Sequence, residues 1–132
     1  MTLTLPIYYT EQFKTKPDKV SLVGMNLYRN AHYHLQNKLK QHYNQLVTDQ
    51  IQDKQSFDKF TVEYRLFYKS PVCDASNVIA LIEKFTLDAL KLNGVITDDN
   101  VQYHQGSSYS VSTQDKANPR VEITIKEYHV TD

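Results

Sequence analysis

Asp74, Asn77, Lys84, Asp88, Asp98 and Asp99 are the residues whose types and spacing could do chemistry. At about 100° per residue, the first four fall in one narrow strip of a helix. Lys84 and Asp88 stand four apart, close enough to touch. Taken blandly, that strip is a solvated helix face with one surface ion pair worth a few tenths of a kcal/mol. Asp98 and Asp99 follow a break at Gly94 and an apolar pair, Val95-Ile96. Adjacent carboxylates repel, so they are most comfortable in an open turn or beside a cation. Thr97-Asp98-Asp99-Asn100 is also an ordinary turn composition. If this loop folds back beside the start of the helix, Asp74 and Asp99 converge. A hard divalent cation takes such oxygens, and Mg²⁺ is held by one or two carboxylates while keeping several waters. Beside a lysine, that arrangement suits phosphodiester hydrolysis: the metal generates or orients hydroxide, and both cations offset charge on the phosphorane-like state.

The elements that must position these residues are legible in the periodicity. FTVEYRLFYK, residues 60–69, alternates as a strand with Phe60, Val62, Tyr64, Leu66 and Tyr68 on one face. Pro71 breaks it, and Asp74 stands as the N-cap of a helix over residues 75–92 with Val78, Leu81, Ile82, Phe85 and Ala89 as its core stripe. Asn93-Gly94 ends that helix. Residues 2–8 alternate as a strand, residues 10–25 look like a loop, and residues 30–51 carry a helical stripe of Leu35, Leu39, Tyr43, Leu46 and Val47. Short strands are expected around 101–105 and 108–113, then a turn in TQDKANP, then a last strand in RVEITIKEY. Strand, helix, strand, helix and a run of strands predict one α+β domain over residues 1–132, a mixed sheet with two main helices on one face.

Composition narrows the classes. A chain of 132 residues is one domain's worth, with 40% hydrophobic and 23% charged residues, as in ordinary globular proteins. No apolar run approaches the ~18 residues of a membrane helix, and no secretion signal is visible at the N-terminus. The single cysteine, Cys73, excludes an internal disulfide and a CxxC zinc site, which fits a reducing cytoplasm. No phosphate-cradling glycine loop, dinucleotide fingerprint or HExxH motif is present. Net charge is zero, whereas nucleic-acid binders usually carry a basic excess. The distribution is uneven, however: no acid occurs from Lys19 to Thr48, a span holding Arg29, Lys38, Lys40, His32, His34 and His42. Tyr28, Tyr33 and Tyr43 in that span could stack on bases, although core packing is the default for tyrosine.

The series Asp74-x-Ser76-Asn77, Lys84, Leu87-Asp88-Ala89-Leu90 and Gly94-Val95-Ile96-x-Asp98-Asp99 resembles the RusA-like family of phage- and prophage-encoded endonucleases that resolve Holliday junctions. The opening TLTLPIYY is similar to the family's first strand, and NLYRN before a basic helix to its early Tyr-Arg segment. The resemblance spans most of the chain, with the helix-to-Asp-Asp portion its most specific part. It implies a RusA-like fold and a crossover junction endodeoxyribonuclease in DNA recombination and repair of a phage or prophage. Such an enzyme acts as a homodimer on four-way DNA junctions with Mg²⁺, or Mn²⁺ in its place, and without an organic cofactor. Carried over, Asp74, Asp98 and Asp99 match metal ligands and Lys84 the catalytic lysine. Ser76, Asn77 and Asp88 support the motif, and Arg29, Lys38 and Lys40 would position the DNA backbone. Three departures stand out. Ser76 replaces the family's second aspartate, four extra residues separate Asn77 from Lys84, and Val72-Cys73 replace basic residues. Ser76, Val72-Cys73 and the zero net charge motivate an alternative: a RusA-fold phage protein that binds branched DNA or a protein partner and cuts poorly or not at all.

Overall fold

Alternation in FTVEYRLFY makes β4, Phe60–Tyr68, the strand around which the sheet is organised. Phe60, Val62, Tyr64 and Leu66 are buried on one face, while Glu63 and Arg65 reach solvent on the other. The computed structural model describes residues 1–51, 53 and 55–129. Its elements are β1 (Thr2–Pro6), β2 (Tyr8–Glu11), β3 (Lys19–Leu22), α1 (Met25–Asn30), α2 (Tyr33–Gln50), β4, α3 (Ala75–Leu92), β5 (His104–Gln114) and β6 (Arg120–Glu127). The main sheet has the order β1-β6-β4-β5. β6 pairs antiparallel with both β1 and β4, whereas β5 runs parallel to β4. Over the described residues the protein is therefore α+β, with a mixed sheet and three helices. Among the described residues, no helix is long and apolar enough to cross a membrane.

α2 and α3 cover one face of this sheet. Leu3, Leu5, Val121, Ile123 and Ile125 join the inward residues of β4 beneath Leu39, Tyr43 and Val47 of α2 and Val78, Leu81, Ile82, Phe85 and Ala89 of α3. Burying such side chains gives roughly 1.5–3 kcal/mol each, the main term holding the layers together. Tyr43 stacks on Phe85 at 5.2 Å between ring centres, and its hydroxyl donates to Pro6 O at 2.6 Å. Burial without a charged partner pushes the Tyr43 phenol far above its ordinary range.

Three boundaries differ from the sequence expectation. The helix expected over 30–51 is split, because Ala31 adopts an extended conformation between α1 and α2, and His32 then caps α2 by accepting from His34 N–H. The segment expected as a loop over 10–25 instead holds the end of β2 and all of β3, which form a hairpin in which Tyr8 pairs with Leu22 and Thr10 with Val20. The two short strands expected near 101–113 are one strand, β5, with register shifts near each end; residues 100–103 form the turn before it.

Two glycines carry specific duties. Gly94 sits at φ 71°, donates to Lys91 O at 3.1 Å, and is followed by Val95 donating to Leu90 O at 2.9 Å. That is a Schellman ending for α3, and only glycine holds it without strain. Gly24 lies so close to Asn77 that a Cβ would overlap the Asn77 amide. Gly94→Ala is expected to destabilise the fold by about 1–2 kcal/mol through the left-handed backbone. In urea unfolding, this should appear as a lower midpoint at an unchanged slope.

Candidate functional site: acidic residues and a basic, aromatic surface

Asp74 is the N-cap of α3. Its Oδ1 accepts from Asn77 N–H at 3.3 Å and from the Ser76 hydroxyl at 3.1 Å. Ser76, where the resembling family has an acid, thus donates a hydrogen bond to Asp74 instead of adding a second charge. Asp74 itself is exposed. Behind it, burial first and the Asp74 charge second push the half-buried Cys73 thiol up, which makes it a poor nucleophile.

Asn77 is engaged with α1. Its Oδ1 accepts from Asn26 N–H at 2.8 Å. Gly24, the N-cap of α1, has no side chain to do this, so Asn77 supplies the missing cap from α3 and docks α1 onto it. Lys84 pairs with Asp88 at 3.6 Å, and both side chains are more than a third exposed. Ten residues at 1.5 Å place Lys84 about 15 Å along the helix from Asp74.

Asp98 closes its own turn. It accepts from Asp99 N–H at 2.8 Å and from Asn100 Nδ2 at 3.3 Å, and it pairs with Lys91 Nζ at 3.2 Å. The Asp99 N–H first, then the Lys91 ammonium, hold its carboxyl below the usual carboxylate range. Asp99 is exposed beside it.

These acids do not meet within one chain. Asp98 is tied to Lys91 in the last turn of α3, whereas Asp74 begins the same helix, about 25 Å away along its axis. The sheet gives the same answer independently. Phe60 N–H donates to Tyr103 O at 2.9 Å, and His104 lies opposite Phe60, so the Asp98–Asp99 turn leads into the first residue of β4's ladder with β5. Asp74 follows the far end of β4, nine residues and roughly 30 Å later. One ion with ligands at ~2.1 Å cannot join carboxylates so placed. Among the described residues, no three His, Cys, Asp or Glu side chains are grouped to hold a metal. The donor set drawn from the sequence therefore does not fit Mg²⁺ or Mn²⁺ in a single chain.

The basic segment is more coherent, with one exception. Gln36 Nε2 donates to Tyr28 O at 2.7 Å and holds the end of α1, with Arg29, against the first turn of α2. There His32, Tyr33 and His34 form a ring cluster, with centres 4.4 Å apart for His32–Tyr33, 4.8 Å for His32–His34 and 4.1 Å for Tyr33–His34. All three are exposed, Tyr33 at 60%. Lys38 stands one turn beyond His34, also exposed. Lys40 points elsewhere: about 200° around α2 from Lys38, it borders a groove of ≈ 540 Å³ against Phe85, Asp88 and Leu92 of α3. His42 packs edge-on to Tyr9 and Tyr43, and burial lowers its pKa, so it is neutral near pH 7.

No model of a known protein family matches the chain, and no curated protein matches it.

The pH dependence follows from Asp98. A depressed folded-state pKa contributes stability that is complete above the unfolded value of about 4 and is lost as pH falls through the folded value. Thermal melts of wild type and Asp98→Asn should differ at pH 7 and converge on acidification below about pH 4.

Proposed function

We propose that the protein binds branched DNA, four-way junctions foremost, through the α1–α2 surface, and that a single chain does so without cutting. The observation that carries this reading is the acid-free run from Lys19 to Thr48, folded so that Arg29, the His32–Tyr33–His34 rings and Lys38 lie exposed around one helix junction. Cations there meet phosphates, a contact that orients DNA without reading its sequence. Exposed rings add stacking on bases splayed at a branch, worth about 1–3 kcal/mol per base. The zero net charge of the chain is compatible with this, because the field at a surface depends on where the charges lie.

Mg²⁺-dependent cleavage of four-way junctions is the second reading. It is supported by the resemblance of the Asp74-to-Asp99 series to the RusA-like endonucleases and by the exposure of both Asp74 and Asp99. It requires acids that one chain holds at opposite ends of α3.

Band shifts of a synthetic four-way junction over a salt series, without divalent metal, test the binding reading. Affinity should fall steeply with salt, and Arg29→Ala and Lys38→Ala should each weaken binding and reduce the slope by about one unit. Tyr33→Ala should cost roughly tenfold through lost stacking, and Lys40→Ala, on the other side of α2, should leave binding unchanged. A flat salt response sinks the binding reading. Adding Mg²⁺ or Mn²⁺ to the same junction, with Asp74→Asn as control, separates the two readings: cleavage by wild type and not by the variant establishes the second.

A further inference from the structure

The two edges of the main sheet are treated differently. At the β1 edge, the Gln50 side chain accepts from Thr4 N–H at 2.7 Å and donates to Thr4 O at 2.8 Å, pairing with that residue as a neighbouring strand would. β5, the other edge, is eleven residues long and contains no Asp, Glu, Lys, Arg or Pro. Natural edges are usually kept from pairing by short length, lysine, proline or bulges. Here Gly106–Val111 pairs in unbroken register with Thr61–Leu66, and among the described residues no backbone outside β4 bonds to this stretch. On its helix side, Tyr109 and Val111 lie opposite Tyr64 and Leu66. Tyr64 and Leu66 are buried beneath the helical layer, yet Tyr109 is 49% and Val111 53% exposed. A hollow of ≈ 200 Å³ lined by Leu66, Tyr68, Pro71, Cys73 and Val111 continues this apolar shelf beside the start of α3.

Two acids of α3 and its cap frame the shelf. Asp74 stands between Cys73 and Ala75, both of which line the hollow. The Glu83 carboxylate neighbours the Tyr64 hydroxyl, above the rung where Tyr64 faces Tyr109. That hydroxyl is buried without a hydrogen-bond partner among the described residues, and burial first, the Glu83 charge second, push the phenol far above its ordinary range. Asp74 is exposed and Glu83 half-buried, and neither forms an ion pair among the described residues. No lysine or arginine lines the hollow.

We propose that β5 takes up an extended segment of a different, partner protein as a fifth strand of the main sheet, a segment with two apolar side chains two residues apart between lysines or arginines. Unpaired strand backbone is matched in spacing and direction by another extended backbone, which adds to the sheet through main-chain hydrogen bonds. Side chains alternate along such a segment. Its two apolar residues cover Tyr109 and Val111, while the residues between them turn towards Ser108 and Ser110. The next helix-side positions reach towards Glu83 on one side and Asp74 on the other. A lysine or arginine there supplies the countercharge that this chain lacks, and such complementarity selects the partner more than it adds affinity. β5 itself is uncharged, so the two acids set the preference. This site is separate from the α1–α2 surface, which offers cations instead of acids, and the proposal does not rest on DNA binding.

Fluorescence anisotropy with a labelled heptapeptide tests the site: lysine at its first and last positions, valine at its third and fifth, threonine between. Wild type is expected to bind it, with affinity falling as salt rises. Glutamate in place of both lysines should weaken binding at least about tenfold. So should setting the two valines side by side, which turns them to opposite faces. On the protein, Val111→Lys should cost at least about tenfold by placing like charges across the pair. Glu83→Gln should cost about three- to fivefold, as one partly exposed ion pair is lost. Gln41→Lys, on the exposed face of α2, should change nothing, and circular dichroism checks that the variants fold. Hydrogen exchange on wild type reads the strand without mutation: amides 106–111 should gain protection when the peptide is present. No binding, equal binding of the rearranged peptide, or binding without that protection would each overturn the proposal. Protection of the same amides that rises with protein concentration alone would give the edge to a second copy and overturn it as well.

Discussion

The parallel pairing of β4 with β5 is the constraint on which the rest of the molecule depends. Two neighbouring parallel strands need a crossover connection, and here it is α3. A helix in that position must run back along the sheet, so the residues before it and after it are delivered to opposite ends. Its length is fixed at 18 residues by two capping devices, the Asp74 carboxylate at the start and the Gly94 turn at the finish. Everything said about the acids follows. Asp74 belongs to the C-terminal end of β4, and Asp98 and Asp99 to its N-terminal end. Lys84 lies between them, occupied with Asp88. α3 also organises the helical layer, because Asn77 caps α1 and Phe85 receives the rings of Tyr28 and Tyr43.

Charge is sorted by element. α1 and α2 carry cations and rings but no acid before Asp49, whereas Glu83, Asp88, Asp74, Asp98 and Asp99 lie on α3 and its flanking turns and Glu63 and Glu122 on the open face of the sheet. On that open face the charges neutralise one another. Lys126 meets Glu63 at 3.2 Å, and Arg120 meets Asp115 at 2.8 Å and Glu122 at 3.6 Å while lying over Phe67. Self-paired charges leave little net field, whereas the helix junction, whose Arg29 and Lys38 form no ion pair among the described residues, keeps its field for a polyanion. A neutral total charge thus coexists with one surface suited to phosphate.

Much of the fold was legible because its signals are periodic. Phe60 to Tyr68 alternates, Val78 to Ala89 repeats at helical steps, and both elements lie where that pattern puts them. Asp74 and Gly94 announced the ends of α3 through well-defined local chemistry. The β2–β3 hairpin was missed because its strands have only four residues each and Pro17 dominates the segment between them. The single long β5 was missed because Gly106 and the serines around it have weak strand propensity, so pairing with β4 decides its conformation. The duty of Asn77 was hidden for a different reason: its partner, Asn26, is 51 residues away. A helical wheel gives the bearing of a side chain but not the depth along the axis at which it acts. The expected meeting of Asp74 and Asp99 depended on whether the chain after Gly94 doubles back along α3 or enters a strand parallel to β4. No local pattern distinguishes the two, because strand order is a property of the whole sheet.

The central claim is that α3 holds Asp74 and Asp99 of one chain too far apart to share a cation. Crystals soaked in Mn²⁺ test it most directly, since anomalous scattering locates the ion and its ligands without reference to activity. The account predicts that no Mn²⁺ site takes oxygens from both Asp74 and Asp99 of the same chain. A single anomalous peak at coordination distance, ~2.1–2.2 Å, from both carboxylates within one chain would contradict it.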